Sequence, residues 1–452
     1  MIGVYEEIMA LTKKPVTGMK DILPAEMEIR DYCISVIKKT YAEFGFLSIE
    51  TPCVENLENL TSKSGGDNEK LIFKILKRGE KLQSALAGLA GTAAEQEGAA
   101  IPDAPLTDGG LRYDLTVPLV RYFSAHENEL PMPFKALQMG NVWRADRPQK
   151  GRYRQFMQCD IDIIGEASNL AEIELILATT TTLGRLGFKG FQIRINDRQI
   201  LKAMAASCGF PQDRFDEVFI ILDKMDKIGK DGVLKELTEA GFTEESAAQY
   251  IALFDGLEAA AGSFTPGTAE HSAAALAYLE EKLAGVIGEE VLPGLREIFG
   301  SVEAAKAADF TLVFDPTIVR GMSYYTGTIF EIAMPELGIS CGGGGRYDGM
   351  VGRFTGKDVP ACGFSIGFER IILILLEQGY QIPGKPVKAA YLIEKNMPSD
   401  RLSEIIRKAQ QERESGKQVL VVRMNKNRKF QKEQLAEQGY EQFEEFYKEM
   451  TK

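Results

Sequence analysis

The sequence predicts an α+β protein built in several parts, and three observations predict it. Strand-like alternation of polar and apolar residues dominates Leu111 to Gly165 and returns at Phe310 to Phe314, Tyr324 to Ala333 and Cys362 to Ile366. Between these stretches the chain from Gln199 to about Ala308 is almost wholly helical, broken by Gly262 to Gly267. After the linker-like QIPGKP, Gln381 to Pro386, a small strand-helix-strand module follows. The expected organisation is a core in two pieces, 1–198 and 309–380, a helical insertion at 199–308, a linker at 381–386 and an α/β module at 387–452.

Taken in order, PVTGMKDILPAEMEIRDYCISVIKKTYAEFGF reads as a Pro/Gly-bounded loop leading into an amphipathic helix, with Met27, Ile34, Ile37 and Tyr41 near helical spacing. Phe46 to Val54 is extended but carries Pro52, so it belongs at a sheet margin or a subunit contact. Ser84 to Gly110 is rich in Ala and Gly with few large apolar side chains, and is expected to be an exposed, flexible insertion. Ala171 to Leu186 reads as helix and Phe188 to Ile195 as strand. In the last module AAYLIE is a strand, Ser399 to Glu414 a helix, QVLVVRM a strand and Lys429 to Lys448 mostly helix. About 65 residues is near the lower limit for an independent core.

Composition narrows the function. The chain has 452 residues, 44% of them apolar and 26% charged, which suits a folded protein and excludes a disordered one. No run reaches the eighteen or so apolar residues of a membrane helix, and the opening MIGVYEEIMALTKKP has acids where a signal peptide has a basic flank, so the expected address is the cytoplasm. Six scattered cysteines without Cys-x-x-Cys, and two histidines, make structural zinc and a disulfide framework unexpected. A net charge of −12 argues against sequence-blind binding to nucleic acid or anionic membrane. Two local basic clusters stand out nonetheless, Arg144 to Arg154 and Arg423 to Lys432, each with five basic residues.

The stretch FKALQMGNVWRADRPQKGRYRQFMQCDIDIIGE is the most informative. Period two puts Met157, Cys159, Ile161 and Ile163 on a core face and Phe156, Gln158, Asp160 and Asp162 on the other. Acids in mid-sheet are costly unless something polar binds them. Two antiparallel strands joined by an arginine-rich loop would gather Arg144, Arg152, Gln158 and Asp162 around one concavity. Guanidinium forks suit phosphate oxygens, whereas the acids suit an ammonium or imidazole. A surface hairpin with weak ion pairs is the competing reading.

Two further constellations point the same way. Arg320 precedes a turn and a strand bearing Tyr324 and Tyr325, and Gly342 to Gly345 remove every side chain from a short path, either for a ligand's flat ring or as a flexible loop. No Gly-Lys-Ser/Thr follows these glycines, and the dinucleotide fingerprint fails at 346–348. In ACGFSIGFERIILIL a strand enters a helix with Arg370 in its first turn, where an anion would offset the unfavourable dipole and a solvated arginine is the alternative. Three separated arginines, nearby acids and tyrosines, and no evident nucleophile-histidine pair suggest a nucleotide-dependent enzyme that works by positioning and electrostatics.

Six ordered signatures, GMKDILP, RYDLTVPLVRY, VWRADRPQKGRYRQFMQCDIDIIG, VRGMSYYTGTIFEI, GGGGRYDGMVGRF and ACGFSIGFERI, resemble the class II aminoacyl-tRNA synthetases, and among them the histidyl-tRNA synthetase family, from about Gly18 to Leu375. The resemblance implies a mostly antiparallel catalytic sheet with a helical insertion and a small C-terminal α/β domain. It also implies ATP as a substrate with Mg2+ and no permanent cofactor, histidine and histidine tRNA as partners, and a homodimer whose interface includes the Pro52 region. By position, Arg144 resembles the arginine on the α-phosphate, Arg370 that on the γ-phosphate, Arg152 a second phosphate contact and Phe156 the ring stacked on adenine. Asp114, Thr116, Gln158, Asp162, Tyr324 and Tyr325 resemble the histidine pocket, with Arg144 and Arg320 beside the reacting carboxylate.

Departures are visible too. Ser323 stands where many members carry Asp, and the terminal module resembles an anticodon-binding domain that ends early, without its final strand and helix, leaving Arg423 to Lys432 as the candidate surface. The alternative from a different class is a histidine-binding regulatory subunit of ATP phosphoribosyltransferase. Retention of Arg144, Arg320 and Arg370 and of part of the tail favours the ligase.

Overall fold

The computed structural model describes residues 12–61, 68–93, 103–265, 267–319, 325–336, 338 and 340–448. They divide into two compact units, one centred on Cys33–Gln378 and the other on the chain from Gly379 together with Ile22–Tyr32. Helix α1 (Pro24–Glu43) leads into β1 (Leu47–Ile49) and β2 (Val54–Asn56). These two strands join different sheets, and Pro52 falls at the break between them, where its missing N–H costs no ladder bond.

Next come α2 (Leu57–Thr61), β3 (Lys74–Leu76), α3 (Gly79–Ala93) and β4 (Thr107–Leu111), with β4 central in a small antiparallel sheet ordered β2-β4-β3. The Ala/Gly-rich stretch expected as an exposed insertion therefore contains a helix and a strand, while 94–102 lies outside the described residues. Alanine favours helix without needing a large apolar face, and glycine in β4 lets the sheet pack closely: a Cβ on Gly110 would meet Leu60 at 2.8 Å.

Helix α4 (Thr116–His126) precedes the long hairpin β5 (Phe134–Trp143) and β6 (Gln155–Ile164), which is followed by α5 (Leu170–Arg185) and β7 (Phe191–Asp197). The helical block then runs through α6 (Arg198–Ser207), α7 (Phe215–Leu222), α8 (Met225–Glu239), α9 (Glu244–Ala261), α10 (Ala269–Lys282) and α11 (Val291–Ala305). It falls in the same compact unit as the sheet. Ser272 of α10 accepts the Phe314 N–H at 3.1 Å, tying this block to β8 (Phe310–Phe314).

Strands β9 (Thr328–Ala333), β10 (Ser340–Arg346) and β11 (Ala361–Ile366), with α12 (Asp348–Thr355) before and α13 (Phe368–Glu377) after β11, complete this unit. The large sheet is ordered β1-β5-β6-β11-β10-β9-β7-β8. Its six inner strands pair antiparallel, and only the margins, β1 with β5 and β7 with β8, are parallel. Beneath it α4 and α12 bury Leu119, Phe123, Met350 and Val351 against Phe134, Ile164 and Ala361. Gly342 to Gly345 lie within β10 rather than in a loop; a Cβ on Gly344 would sit 1.9 Å from the Gly363 carbonyl oxygen of the next strand.

The second unit holds β12 (Lys388–Ile393), α14 (Ser399–Glu414), β13 (Gln418–Arg423), α15 (Arg428–Glu437) and β14 (Gln442–Phe446), an all-parallel sheet ordered β13-β12-β14. Alternate residues of β12 pack on opposite faces, Tyr391 and Ile393 with Ile405 and Ala409 of α14, Ala390 and Leu392 with Leu435 of α15. The run Lys429 to Lys448, expected to be mostly helix, is helix only to Glu437; Gly439, at φ +86°, turns the chain into β14. Phe443 and Phe446 then face opposite cores, as strand geometry requires, and Phe446 meets Tyr391 with ring centroids 5.0 Å apart. Among the described residues no helix is long and apolar enough to cross a membrane.

Arg346, ending β10, is the electrostatic link between the glycine strand and α5. Its Nε and Nη2 donate to the two carboxylate oxygens of fully buried Glu172 at 2.7 and 2.6 Å, and its Nη2 also donates to the Ser168 carbonyl at 3.0 Å. Removing one member would leave a buried charge without its partner, so Arg346→Met should lower the unfolding free energy by about 3–5 kcal/mol in denaturant titration. Adding Glu172→Leu should recover much of that loss; a single variant as stable as the parent would show the pair to be dispensable.

Candidate active site

The hairpin β5–β6 builds one wall. Its register sets Gln138 opposite Asp160 and Gly140 opposite Gln158, and β11 lies antiparallel on the other side with Ser365 opposite Asp160 and Gly363 opposite Asp162. Gln158, Asp160 and Asp162 thus share a face with Gly363 and Ser365, as period two requires. The opposite face is also covered, with Cys159, Ile161 and Ile163 buried. Met157, expected only on the core side, also borders the cavity, and its N–H donates to Glu369 Oε1 at 3.1 Å.

The arginine-rich loop folds back on itself. The Arg144 N–H donates to the Arg154 carbonyl at 2.9 Å, and Gly151, at φ +72°, makes the turn between Gln149 and Arg152. The Arg144 guanidinium is held by one hydrogen bond and two rings: Nε donates to the Tyr113 carbonyl at 3.0 Å, and the group lies 4.4 Å from the Tyr113 ring centroid and 5.2 Å from that of Phe156. Arg152 is half-exposed and pairs with Asp146 at 3.0 Å. Arg370, in the first turn of α13, donates to the Ser340 carbonyl in β10.

Asp114 accepts the Val117 N–H at 3.0 Å in the first turn of α4, so the acid and Thr116 are held by a helix start. Tyr347 donates its hydroxyl to Asp162 at 2.6 Å, and Ser365 donates to Asp160. All these elements enclose a cavity of about 350 Å³, lined by Asp114, Thr116, Arg144, Arg152, Phe156, Gln158, Asp162, Tyr325 and Arg370. Arg320, Ser323 and Tyr324 lie outside the described residues. Asp146, Asp160, Tyr347, Ser365 and Glu369 also line the cavity; of these, period two in the hairpin marks only Asp146 and Asp160 as polar-facing. The alternation of β11 marks Ser365 as polar-facing, but only its pairing with β6 sets it opposite Asp160.

Electrostatically the floor is unsatisfied. Burial pushes the Asp160 carboxyl up to about 7, with neighbouring Asp114 adding repulsion and Ser365, Arg144 and Gln158 opposing it. Burial also lifts Asp162 well above the usual carboxylate range, assisted by Asp160, and raises Asp114. Three buried acids beside phosphate-suited arginines form a site with two ends, one fit for a cationic or N–H-bearing group and the other for an anion. Among the described residues no cluster of three or more His, Cys, Asp or Glu could hold a metal ion.

The family model described as histidyl-tRNA synthetase matches residues 80–371. The chain belongs to the histidyl-tRNA synthetase family. It is 45% identical over 438 residues to a histidine–tRNA ligase of Leifsonia xyli subsp. xyli, an alignment covering 96% of this chain and 95% of that one. A histidyl-tRNA synthetase from Nostoc sp. PCC 7120 has a similar structure, with a TM-score of 0.74 and 26% identity over 95% of this chain and 90% of that chain. A Bacillus halodurans C protein described as an ATP phosphoribosyltransferase regulatory subunit/histidyl-tRNA synthetase shares the fold at TM-score 0.73 and 20% identity, with 97% and 99% covered. The class II histidyl-tRNA synthetase fold accounts for the antiparallel inner sheet.

Gly363 is required by this packing. A Cβ there would lie 2.0 Å from Asp162 Oδ1 and 3.3 Å from the Tyr347 ring. Gly363→Ala should therefore displace Asp162, lower stability by about 1–3 kcal/mol and abolish detectable histidine binding by calorimetry. Parental binding would mean that Asp162 has no part in the pocket.

Proposed function

We propose that this chain is a histidine–tRNA ligase, which activates histidine with ATP to histidyl-adenylate and transfers the histidyl group to the 3′ end of histidine tRNA. The observation that carries the assignment of residues is the convergence of Arg144 and Arg152, from the loop of the β5–β6 hairpin, and Arg370, more than 200 residues on at the start of α13, on one cavity floored by Asp114 and Asp162. ATP is the phosphate-bearing substrate, Mg2+ accompanies its triphosphate and screens charge there, and no permanent cofactor takes part.

In this reading the histidine carboxylate attacks the α-phosphorus and pyrophosphate leaves. Negative charge grows on the α-phosphate oxygens, and Arg144, already immobilised between two rings and a carbonyl, stabilises it without reorganising. Arg370 holds the γ-phosphate, Arg152 adds a second phosphate contact and Phe156 stacks on adenine. Arg320 lies beside the reacting carboxylate and the α-phosphate. Asp114, Thr116, Gln158, Asp162, Tyr324 and Tyr325 receive histidine. The ribose hydroxyl at the tRNA terminus then attacks the adenylate carbonyl, forming the ester and releasing AMP. The protein acts in the cytoplasm as a homodimer whose interface includes the Pro52 region, and the second unit, with its basic segment Arg423 to Lys432, contributes to tRNA binding.

Histidine-dependent exchange of pyrophosphate into ATP tests the reading directly. A histidine-binding regulator of ATP phosphoribosyltransferase would bind histidine and show no exchange. Arg144→Ala and Arg320→Ala should each slow exchange by about two orders of magnitude or more, the scale of losing one preorganised charge donor. Unchanged exchange would remove that arginine from the mechanism. For tRNA, Lys426 and Lys429 are exposed and free of the chemistry. Lys426→Glu with Lys429→Glu should raise the KM for tRNA and flatten its dependence on log salt by about 1 to 2, leaving exchange intact. Parental salt dependence would take the segment out of the tRNA surface.

A further inference from the structure

The Gln158 side chain presents an unexplained arrangement. Its Nε2 lies 3.2 Å from Asp160 Oδ2 and 3.4 Å from both Asp160 Oδ1 and Ser365 Oγ. Its Oε1 is buried and has no hydrogen-bond partner among the described residues. An unpaired buried carbonyl is destabilising, and here it belongs to a residue that lines the substrate cavity. Ser365, in turn, donates its single proton to Asp160 Oδ1 and therefore offers Gln158 no further donor. Asp160, 4% exposed, is an acceptor when ionised and accepts only the NH2 end of the amide.

We infer that Asp160, aligned by Ser365, is a positioning residue for amino-acid recognition: it pins the Gln158 amide by its NH2 so that Oε1 is kept as a fixed acceptor for an N–H donor of the amino-acid substrate. This inference rests on the ligase reading for the identity of that substrate. The donor is the imidazole N–H or the α-ammonium, which share the chemistry an amide oxygen selects. Asp160 touches the orienting amide rather than the reacting atoms. A protonated Asp160 could donate to the amide oxygen and let Gln158 turn its NH2 to the substrate, reversing the polarity of recognition.

The titratable and charged groups around Asp160 are Asp114 before α4, which disfavours its ionisation, and Arg144 after β5, which favours it; Asp162 on β6 and Tyr41 on α1 lie near enough that Asp160 in turn raises both. Its carboxyl, raised to about 7 by burial first of all, gains a proton as pH falls through that value. The acceptor would be lost in the same interval, so histidine affinity should fall on the acid side of about 7 beyond the loss due to free histidine's own titration. That last titration is common to parent and variant and cancels in their ratio.

The test is Asp160→Asn beside Ser365→Ala, in pyrophosphate exchange and in calorimetry with histidine alone. Asparagine can donate or accept, so it no longer dictates the amide's direction; histidine KM should rise about 10- to 100-fold while ATP KM stays put, and the parent-to-variant ratio should shrink as pH drops below 7. Ser365→Ala should give a smaller rise of the same kind, and unfolding curves establish that both variants are folded. Inhibition by 4-methylimidazole, which has the ring N–H and no ammonium, separates the sources: weakened inhibition assigns the ring as donor, and unchanged inhibition with weakened histidine assigns the ammonium. Parental histidine KM in folded Asp160→Asn, or a pH-independent ratio, would overturn the inference. Absence of exchange in the parent would instead refute the ligase reading, and the calorimetric arm would still decide whether Asp160 governs histidine binding.

Discussion

The site depends on the placement of buried carboxylates in the middle of a sheet. Asp160 and Asp162 on β6 are 4% and 3% exposed, and Asp114 is 5% exposed beside them. Ionising such groups without partners is expensive, and the protein answers only in part: one hydroxyl from Tyr347, one from Ser365, one amide from Gln158 and the backbone N–H groups of Thr116 and Val117 at the start of α4. The incomplete compensation is the functional feature. A floor that is electrostatically frustrated when alone gains most from a ligand that brings N–H donors, so burial becomes selectivity rather than simply a stability cost.

Around that floor the fold supplies rigidity where charge must be held still. Arg144 leaves the end of β5 and is clamped by the Tyr113 carbonyl and two rings, whereas Arg152, in the loop, is half-exposed and pairs with Asp146. An arginine fixed before substrate arrives can stabilise a developing charge without reorganising, while one on a loop suits binding contacts that form as the substrate settles. Arg370 is set by the entry of β11 into α13, and the carbonyl it contacts lies on the glycine strand. The two ends of the cavity are thus tied to the same three strands, β6, β11 and β10.

Much of this was legible in the sequence because alternation is a local rule. The polar face of Gln155 to Ile164, the arginine loop and the strand-to-helix entry at Gly367 could all be read from spacing; nine of the expected site residues line the cavity, of which Asp114 and Thr116 were implied only by the family resemblance. What escaped was set by pairing between distant segments. Nothing local reveals that Ser365 sits opposite Asp160 or Tyr347 over Asp162, because register is decided by the packing of whole strands. The β14 strand departs from the expected helix for a similar reason: Gln442 to Phe446 carries two glutamates that suit a helix surface, and only parallel pairing with β12 makes its phenylalanines core residues. Likewise Gly79–Ala93 is helical despite its lack of a large apolar face, because alanine needs little burial to favour helix.

The glycines of β10 and β11 show how such long-range demands become sequence. Gly344 and Gly363 leave space that backbone or a carboxylate occupies, at 1.9 Å from one would-be Cβ and 2.0 Å from the other. The sheet is therefore drawn together at the point where Asp162, Tyr347 and the cavity meet. A side chain at 344 would force the strands apart, and one at 363 would push the Asp162 carboxylate from the pocket floor. Recognition in this protein is thus limited by backbone proximity before any contact with substrate is made, and the polar groups act on geometry that the glycines allow.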